Sequence, residues 1–276
     1  MRRARAALLA LLALAAPAAA EPERVVSVNL CTDQLAMLLA APGQLVSVSH
    51  IAHDPLSSAM LEEAQAFPAN YGRAEEVWLL RPDLVLAGAF TPETTVSMLR
   101  RMGVRVERFP LVTRLADVPG AIRAVGAALG REAEAEREAE AFEARLAGLK
   151  GRRAGADPRA ALWRANGWSL GPETLAGDIL ATAGLANVAA ELGLAAGGRI
   201  PLESLAMASP DLVLSGARYP GASEGEAITS HPALRHFRRG AVEDRDWVCG
   251  APAALRAVSA MIEARRSLRG EEVARR

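Results

Sequence analysis

Short apolar runs alternate with amphipathic stretches along the first part of the chain. Runs rich in Val and Leu predict strands, and apolar residues three and four positions apart predict helices. The predicted strands lie at 24–29, 43–49, 83–88 and 104–109, and the predicted helices at 32–40 and 94–102. Because strands and helices alternate, the pattern predicts parallel βαβ units.

The longest amphipathic segment covers residues 118–150. Its apolar positions keep helical spacing, its charges lie on the other face, and no proline follows Pro119 within it. Gly126 and Gly130 are weak points, yet the pattern predicts one helix of about 45 Å. A helix of that length exceeds what one small lobe needs, so we expect it to join two lobes.

Beyond this helix the alternation restarts and carries a near copy of an earlier segment. "RPDLVLAGA" at 81–89 and "SPDLVLSGA" at 209–217 lie 128 positions apart. In each copy a glutamate stands seven residues before the proline, at Glu75 and at Glu203. The copies therefore indicate two lobes of similar plan.

Together these patterns predict an α/β protein of two lobes, each with a mainly parallel central sheet, joined by one long bridging helix. The predicted boundaries are a leader at 1–20, an N-terminal lobe at 21–117, the bridging helix at 118–150 and a C-terminal lobe at 151–276. Ligands of such sheets bind beyond the carboxyl ends of the strands. We therefore expect a ligand cleft between the lobes.

The first twenty residues have the pattern of a secretory signal peptide. A basic start is followed by an apolar run near 6–16 and by small residues that end at Ala20. The run is shorter than the ~20 apolar residues of a membrane-spanning helix. We expect cleavage before Glu21 and a periplasmic protein.

Charge and cysteine content narrow the class of partner. Lys and Arg total 32 and Asp and Glu total 32, which leaves no basic excess for nucleic acid or an anionic membrane. The two cysteines, Cys31 and Cys249, each follow a predicted strand, one in each lobe. An exported protein can keep a disulfide, so a bridge, two free thiols and a soft ligand held between them all stay open.

Four segments carry a recognisable pattern: "RVVSVNLCTDQL", "YGRAEEVWLLRPDLVLAG", "RIPLESLAMASPDLVLSG" and "DWVCGAP". In order and spacing they resemble the periplasmic substrate-binding proteins of ABC importers for ferric siderophores and cobalamin. The resemblance covers nearly the whole chain after residue 20. It implies the class III fold, in which a long helix bridges two lobes, hinge motion is small and ligand lies in a shallow cleft. It also implies a protein that is no enzyme and needs no cofactor.

The resemblance assigns a role to the two glutamates. In the resembling proteins one exposed glutamate on each lobe pairs with arginines of the permease, and Glu75 and Glu203 match those positions. A carboxylate at a helix start is favoured by the helix dipole, and charge pairs orient an encounter more than they raise its affinity. The expected partner is an ABC permease in the inner membrane, contacted by a monomer of this chain.

Aromatic residues and arginines recur in the loops predicted to line the cleft. Flat rings and guanidinium groups suit a large, flat or anionic ligand. By resemblance, Trp247 matches a position near which the family contacts ligand, and Arg73 one where siderophore binders often carry an arginine. The expected ligand-binding residues are Cys31, His50, Tyr71, Arg73, Phe90, Trp163, Arg164, Trp168, Arg218, Tyr219 and Trp247. Trp78, on the helix before the first copied strand, is expected in the core.

These observations favour an exported protein that delivers a ferric siderophore to an ABC permease, since Arg73 and Arg164 suit an anionic chelate. Cobalamin is the first alternative, and haem is another, with His50 or His53 as an axial ligand. An alternative of a different class is an exported metal-dependent hydrolase that uses His50, His53 and Asp54. Structural zinc sites take four good ligands, so we expect this cluster to hold no metal.

Overall fold

The computed structural model describes residues 21–149, 156–216 and 223–274. It confirms the α/β fold of two lobes with parallel sheets that the alternating pattern predicts. The predicted leader at 1–20 lies outside the described residues. Within them, no helix is both long and apolar enough to cross a membrane.

The N-terminal lobe is built on a five-stranded sheet in the order β3-β2-β1-β4-β5, with every neighbouring pair parallel. Its strands are β1 (Val25–Ser27), β2 (Leu45–Ser49), β3 (Ala69–Asn70), β4 (Leu84–Ala87) and β5 (Arg105–Arg108). Its helices are α1 (Leu30–Leu39), α2 (Leu61–Ala64), α3 (Ala74–Leu79) and α4 (Glu93–Arg101). The strand β1 lies at the centre, so α1 begins at the middle of the carboxyl edge of the sheet.

The single helix predicted over 118–150 is wrong, because the segment forms two helices. These are α5 (Val118–Leu129) and α6 (Glu132–Leu149). Gly130 lies between them with a φ of +70°, the left-handed conformation that commonly ends a helix and that glycine adopts without strain. The glycine that the sequence marks as a weak point is therefore a helix terminus.

The two helices pack against each other as a hairpin. A Cβ on Gly126 would lie 2.2 Å from the Cβ of Ala135, so glycine lets the helices approach closely. Arg123 of α5 pairs with Glu136 at 2.7 Å and with Glu143 at 3.2 Å, both on α6. This hairpin, rather than one rigid rod, leads the chain from one lobe to the other.

The C-terminal lobe has a four-stranded parallel sheet in the order β11-β10-β6-β8 and a small antiparallel pair, β7 with β9. The strands are β6 (Arg159–Leu162), β7 (Trp168–Ser169), β8 (Ala186–Asn187), β9 (Gly198–Arg199), β10 (Leu212–Gly216) and β11 (Arg239–Val242). The helices are α7 (Leu175–Ala183), α8 (Val188–Glu191), α9 (Leu202–Ala208), α10 (Glu224–Ala227) and α11 (Ala254–Ala274). The copied segments form β4 and β10, each an inner strand of its sheet.

The two copied segments also make matching hydrogen bonds. The carboxylate of Asp83 accepts from the backbone N–H of Arg24 at the start of β1. The carboxylate of Asp211 accepts from the backbone N–H of Arg159 at the start of β6, at 2.7 Å. The aspartate of each "PDLVL" therefore ties its strand to the neighbouring strand, which is a structural reason for the repeat.

One hydrophobic core runs through both lobes. Its fully buried members include Leu86 of β4, Ile122 of α5, Phe142 of α6, Leu162 of β6 and Met261 of α11. The helical hairpin lies between the sheets in this cluster, while the outer face of each sheet packs a smaller core of its own. The lobes thus share buried apolar surface.

Candidate functional site

A disulfide joins the two lobes where their central loops meet. Cys31 lies in the first turn of α1, directly after β1, and Cys249 lies between β11 and α11. The two Cα atoms are 5.1 Å apart and the residues are separated by 218 positions. Of the three alternatives that the sequence leaves open, the structure contains the bridge, and no free cysteine remains in the described chain. We call this junction the cleft floor.

The start of α1 is shaped by Asn29. Its side-chain oxygen accepts from the backbone N–H of Cys31 at 3.0 Å and caps the helix. A Cβ on Gly88 would lie 2.4 Å from the Cγ of Asn29, so only glycine leaves room for the capping side chain. Cap and glycine together fix where Cys31 meets the opposite lobe.

Two hollows flank the cleft floor. The first, the N-terminal hollow, has a volume of about 320 Å³ and lies between the loop after β4, the loop after β5 and α5. Its lining is mostly apolar, with Phe90, Phe109 and Leu111 on one side and small residues of α5 on the other. Phe90 is 78% exposed at this site, which is unusual for a large apolar ring.

The second, the C-terminal hollow, has a volume of about 470 Å³ and is lined by both lobes. Ser57 and the segment 111–113 come from the N-terminal half, and Arg164, Asp244 and Trp247 come from the C-terminal lobe. The two hollows share Leu111 and Val112. They therefore lie side by side along one interlobe surface.

Arg164, Asp244 and Trp247 form one hydrogen-bonded group in the wall of the C-terminal hollow. The guanidinium of Arg164 pairs with Asp244 at 2.5 Å, and the indole N–H of Trp247 donates to the other carboxylate oxygen at 2.9 Å. Burial raises the pKa of Asp244 above its ordinary value, although the positive charge of Arg164 opposes that shift. The group presents a held guanidinium to the hollow, which suits an anionic ligand group.

Asp244 was not among the residues predicted from the sequence. The segment "VEDRDW" offers three acidic residues, and nothing in its pattern separates them. The distinguishing contact is tertiary, since a Cβ on Gly216 would lie 2.7 Å from the Asp244 carboxylate. The glycine that ends β10 thus makes the space that Asp244 fills.

Two rings stack at the carboxyl edge of the N-terminal sheet, where β2 and β3 end, and neither of them lines the two hollows. His50 and Tyr71 stack with ring centroids 4.7 Å apart, and Tyr71 is 64% exposed. The loop is held from below by Asn70, whose amide donates to the backbone oxygens of Ser27 and Val48 at 2.9 Å. This stacked pair presents a phenol and an imidazole at the edge of the sheet.

Arg73 follows this ring pair as the N-cap residue of α3 and is exposed. Within the described residues its guanidinium makes no ion pair. An uncompensated guanidinium beside exposed rings remains available to a ligand carboxylate or another anionic group.

Trp163 was expected to contact the ligand, and that prediction is wrong. Its ring is fully buried in the core of the C-terminal lobe, and its indole N–H donates to the backbone oxygen of Ile200 at 2.9 Å. The residue directly follows β6, so its side chain continues the strand's alternation onto a packed face of the sheet. Trp163 is structural, and Arg164 next to it faces the hollow.

The prediction for Trp78 is also wrong, because this residue is exposed rather than buried. It was expected in the core, but it is 48% exposed on α3. The short helix buries Ala74 and Val77 and leaves its other face in solvent. Of the remaining expected residues, Trp168 is half exposed on β7, while Arg218 and Tyr219 lie outside the described residues.

Residues 167–171 read G-W-S-L-G, the spacing of a hydrolase nucleophile elbow. In such enzymes the serine lies exposed on a turn between a strand and a helix. Here Ser169 is fully buried on the antiparallel strand β7, and its hydroxyl has no hydrogen-bond partner in the described structure. The segment therefore lacks the geometry of a nucleophile.

The cluster of His50, His53 and Asp54 does not form a metal centre. His50 stacks on Tyr71, and the Asp54 carboxylate accepts from the backbone of Leu56 and the hydroxyl of Ser57 in the next turn. Among the described residues, no group of three or more His, Cys, Asp or Glu side chains could hold a metal ion. The metal-dependent hydrolase alternative thus gains no support.

A buried carboxylate lies next to the cleft floor. Asp33 follows Cys31 by two residues, is fully buried, and accepts from the backbone N–H and the hydroxyl of Ser49. Desolvation by burial raises the pKa of Asp33 to about 6, and hydrogen bonds from Ser27 and Ser49 oppose that shift. The N-terminal lobe therefore carries a titratable group within its core.

Glu75 and Glu203 lie at matching places on the two lobes. Each is exposed in the first turn of a short helix, α3 or α9, that precedes a copied strand. Each also has an exposed apolar residue four positions later: Leu79 is 71% exposed and Met207 87%. The repeat thus places an acid beside an apolar side chain on both lobes.

Comparison with known proteins places this architecture among solute-binding proteins. A family model described as periplasmic binding protein matches residues 25–244. A cobalamin-binding protein of Halobacterium salinarum is 29% identical over 201 residues, which are 71% of this chain and 54% of the relative. The chain therefore spans about half the length of the curated relatives it matches.

Solved structures share the fold along most of the chain. The periplasmic heme-binding protein RhuT from Roseiflexus sp. RS-1 has 24% identity and a TM-score of 0.73, covering 88% of this chain and 98% of its own. The vitamin B12 binding protein BtuF of Vibrio cholerae has 17% identity and a TM-score of 0.70, covering 90% and 98%. At these identities the likeness establishes the fold.

Proposed function

Because this chain belongs to the periplasmic binding protein family, we propose that it captures a small molecule outside the inner membrane and delivers it to an ABC permease. The family supplies the substrate-binding component of such importers, and it consists of solute-binding proteins rather than enzymes. The cleft between the lobes, with a hollow on each side of its floor, is the binding site of this proposal. The leader predicted at 1–20 stays a prediction that fits export.

We propose further that the cargo is a metal-carrying tetrapyrrole, either haem or a corrinoid. The stacked His50–Tyr71 pair carries this proposal, because it offers ring faces for a flat macrocycle together with an imidazole and a phenol. Both groups are known axial ligands of haem iron. The names of similar proteins, which print cobalamin, vitamin B12 and heme, point to the same class.

A ferric siderophore, the ligand first expected from the arginines, is the second candidate. It is favoured by Arg73, which has no ion-pair partner in the described structure, and by Arg164 in the C-terminal hollow. Guanidinium groups suit the anionic oxygens of such a chelate. The two candidates differ in which groups carry the binding energy, the stacked rings for a tetrapyrrole and the guanidinium groups for an anionic chelate.

Titration of the purified protein with haem, cyanocobalamin and a ferric tris-catecholate tests the proposal. We expect haem or cyanocobalamin to quench tryptophan fluorescence and to bind at least tenfold more tightly than the catecholate, a difference of about 1.4 kcal/mol. Catecholate binding alone would move the assignment to siderophores. Failure of all three to bind would refute both candidates.

Tyr71→Phe separates ring stacking from ligation by the phenol. The variant keeps the stack on His50 and removes the oxygen, so loss of the phenolate charge-transfer band with retained haem binding would identify Tyr71 as an axial ligand. His50→Ala is the matched variant on the other ring, and it removes the stack itself.

Glu75 and Glu203 are proposed as the contacts with the permease. Their support is the internal repeat, which places one exposed acid on each lobe at the start of equivalent helices. A partner built from two like halves would meet one acid with each half, and such charge pairs would fix the orientation of docking.

A further inference from the structure

The disulfide is one of several contacts that close the cleft floor. Gly250 follows Cys249, and a Cβ there would lie 2.3 Å from the Cβ of Val112, so the C-terminal lobe packs directly on the segment after β5. The sulfur of Cys31 also lies 3.8 Å from the backbone oxygen of Val248. A second tie is made by Asp178 of α7, whose carboxylate accepts from the backbone N–H of Leu115 at 2.7 Å.

A separate connection joins the lobes through the chain itself. The hairpin of α5 and α6 shares one hydrophobic core with both sheets, including Phe142 at 1% exposure and Ile122 at 0%. Noncovalent packing of this kind still permits small sliding of packed helices, which is the shear form of lobe movement. The disulfide adds a covalent link at a different place.

We propose that the Cys31–Cys249 disulfide is a clamp that holds the two lobes at one separation, so that ligand enters and leaves the cleft without the lobes moving apart at its floor. The bond closes a covalent ring with the helical hairpin, and rotation of one lobe against the other would have to break or strain that ring. The clamp rests on the proposed function only in that it treats the cleft as the ligand site.

The clamp has a consequence for affinity. Both hollows are lined by the segment 111–112, and the disulfide holds against it Gly250, which lines the N-terminal hollow, and Val248, which lines the C-terminal hollow. If the lobes were free to separate, only a fraction of molecules would hold the hollows at the binding distance. Apparent affinity falls by that fraction, so the clamp maintains a preformed site.

Interlobe distance measurements test the clamp directly. Spin labels are attached through noncanonical amino acids at Thr94 on α4 and Ala206 on α9, two exposed positions on different lobes, so that the cysteines are left unaltered. Double electron–electron resonance should give a narrow distance distribution in the oxidised protein. Reduction with a phosphine should broaden it and shift its mean by several ångström.

The variant that combines Cys31→Ser with Cys249→Ser is the matched control. It should show the broad distribution with or without reductant, whereas the wild type should change. An unchanged wild-type distribution on reduction would overturn the clamp. Loss of the far-UV helical signal on reduction would overturn it as well, because the bond would then maintain the fold rather than the spacing of folded lobes.

Ligand binding gives an independent readout with haem and cyanocobalamin as the probes. Reduction should weaken binding of whichever probe binds on the order of tenfold, in line with a loss of preformed sites. If distances broaden on reduction while neither probe binds, the cargo proposal fails and the clamp stands. If a probe binds equally well before and after reduction while the distances broaden, the lobe spacing does not control the site, and the affinity consequence is refuted.

Discussion

The indole N–H of Trp247 donates to Asp244 at 2.9 Å, and the same carboxylate holds the guanidinium of Arg164 at 2.5 Å. One aspartate thus orients an aromatic ring and a cation that come from separate segments of the C-terminal lobe. Asp244 contacts both residues from a mostly buried position, so its removal leaves two donors without their acceptor.

Asp244→Ala should lower the free energy of unfolding by about 2–4 kcal/mol, because charged hydrogen bonds in a part-buried site are lost. Chemical denaturation followed by circular dichroism measures the change. Glu243→Ala is the control one residue away: Glu243 lies 3.7 Å from Arg245 and both side chains are exposed, so its loss should cost about 0–1 kcal/mol. Equal losses in the two variants would show that the Asp244 group has no special role.

The proposed docking role of Glu75 and Glu203 gives a prediction in cells. The double variant Glu75→Gln with Glu203→Gln should bind ligand as the wild type does, because both side chains are exposed on helices outside the two hollows. Ligand uptake in a strain that depends on this chain should fall at least tenfold, about 1.4 kcal/mol of docking energy. Glu62→Gln with Glu224→Gln is a charge-matched control at two other exposed positions, and wild-type uptake by the first variant would rule the docking role out.

Asp33 predicts a particular pH dependence of stability. Its pKa is raised from 3.8 in the unfolded chain to about 6, so the carboxyl group stays protonated to a higher pH in the folded state than in the unfolded state. The contribution of Asp33 to the free energy of unfolding is therefore fully present below pH 3.8 and is lost as the pH rises to about 6. The loss amounts to about 3 kcal/mol across that window.

Asp33→Asn removes this titration while keeping the shape of the side chain. As the pH rises from 3.8 to about 6, the wild type should lose free energy of unfolding relative to the variant. Urea unfolding at several pH values measures this difference. Asp211→Asn keeps Asp33 and should retain the wild-type slope. A parallel pair of pH profiles for wild type and Asp33→Asn would contradict the assignment.

The sequence could not predict which of the neighbouring residues Trp163 and Arg164 is buried and which lines the hollow. Both occur in one loop-like segment rich in glycine and aromatic residues, and both were expected at the ligand. Adjacent residues next to a strand point to opposite faces, so one enters the core and the other the hollow. Which of the two is buried depends on the packing of β10 and Ile200, and that is set by tertiary contacts.

The inner strands, the helix break and the cysteine pair could be predicted from the sequence to different degrees. The copied segments predicted the inner strands β4 and β10, because a buried parallel strand leaves a continuous apolar run. The helix break was harder, since Gly130 sits in a pattern that keeps helical spacing on both sides. The cysteine pair was recognised, but only the fold brings its two Cα atoms to 5.1 Å.

Trp163→Phe separates the structural tryptophan from the ligand-facing residues. The variant loses the hydrogen bond to Ile200 and part of the ring volume, so we expect a loss of about 1–3 kcal/mol in the free energy of unfolding. Ligand affinity should stay within about threefold of wild type. A large loss of affinity with unchanged stability would return Trp163 to the ligand site.

Hydrogen–deuterium exchange with and without saturating ligand tests the central claim, that cargo lies in the cleft between the lobes. We expect slower exchange in segments of both lobes, at 70–73 and 88–91 and at 244–250, with little change on the outer helices α4 and α8. Protection confined to one lobe, or located away from the two hollows, would contradict it.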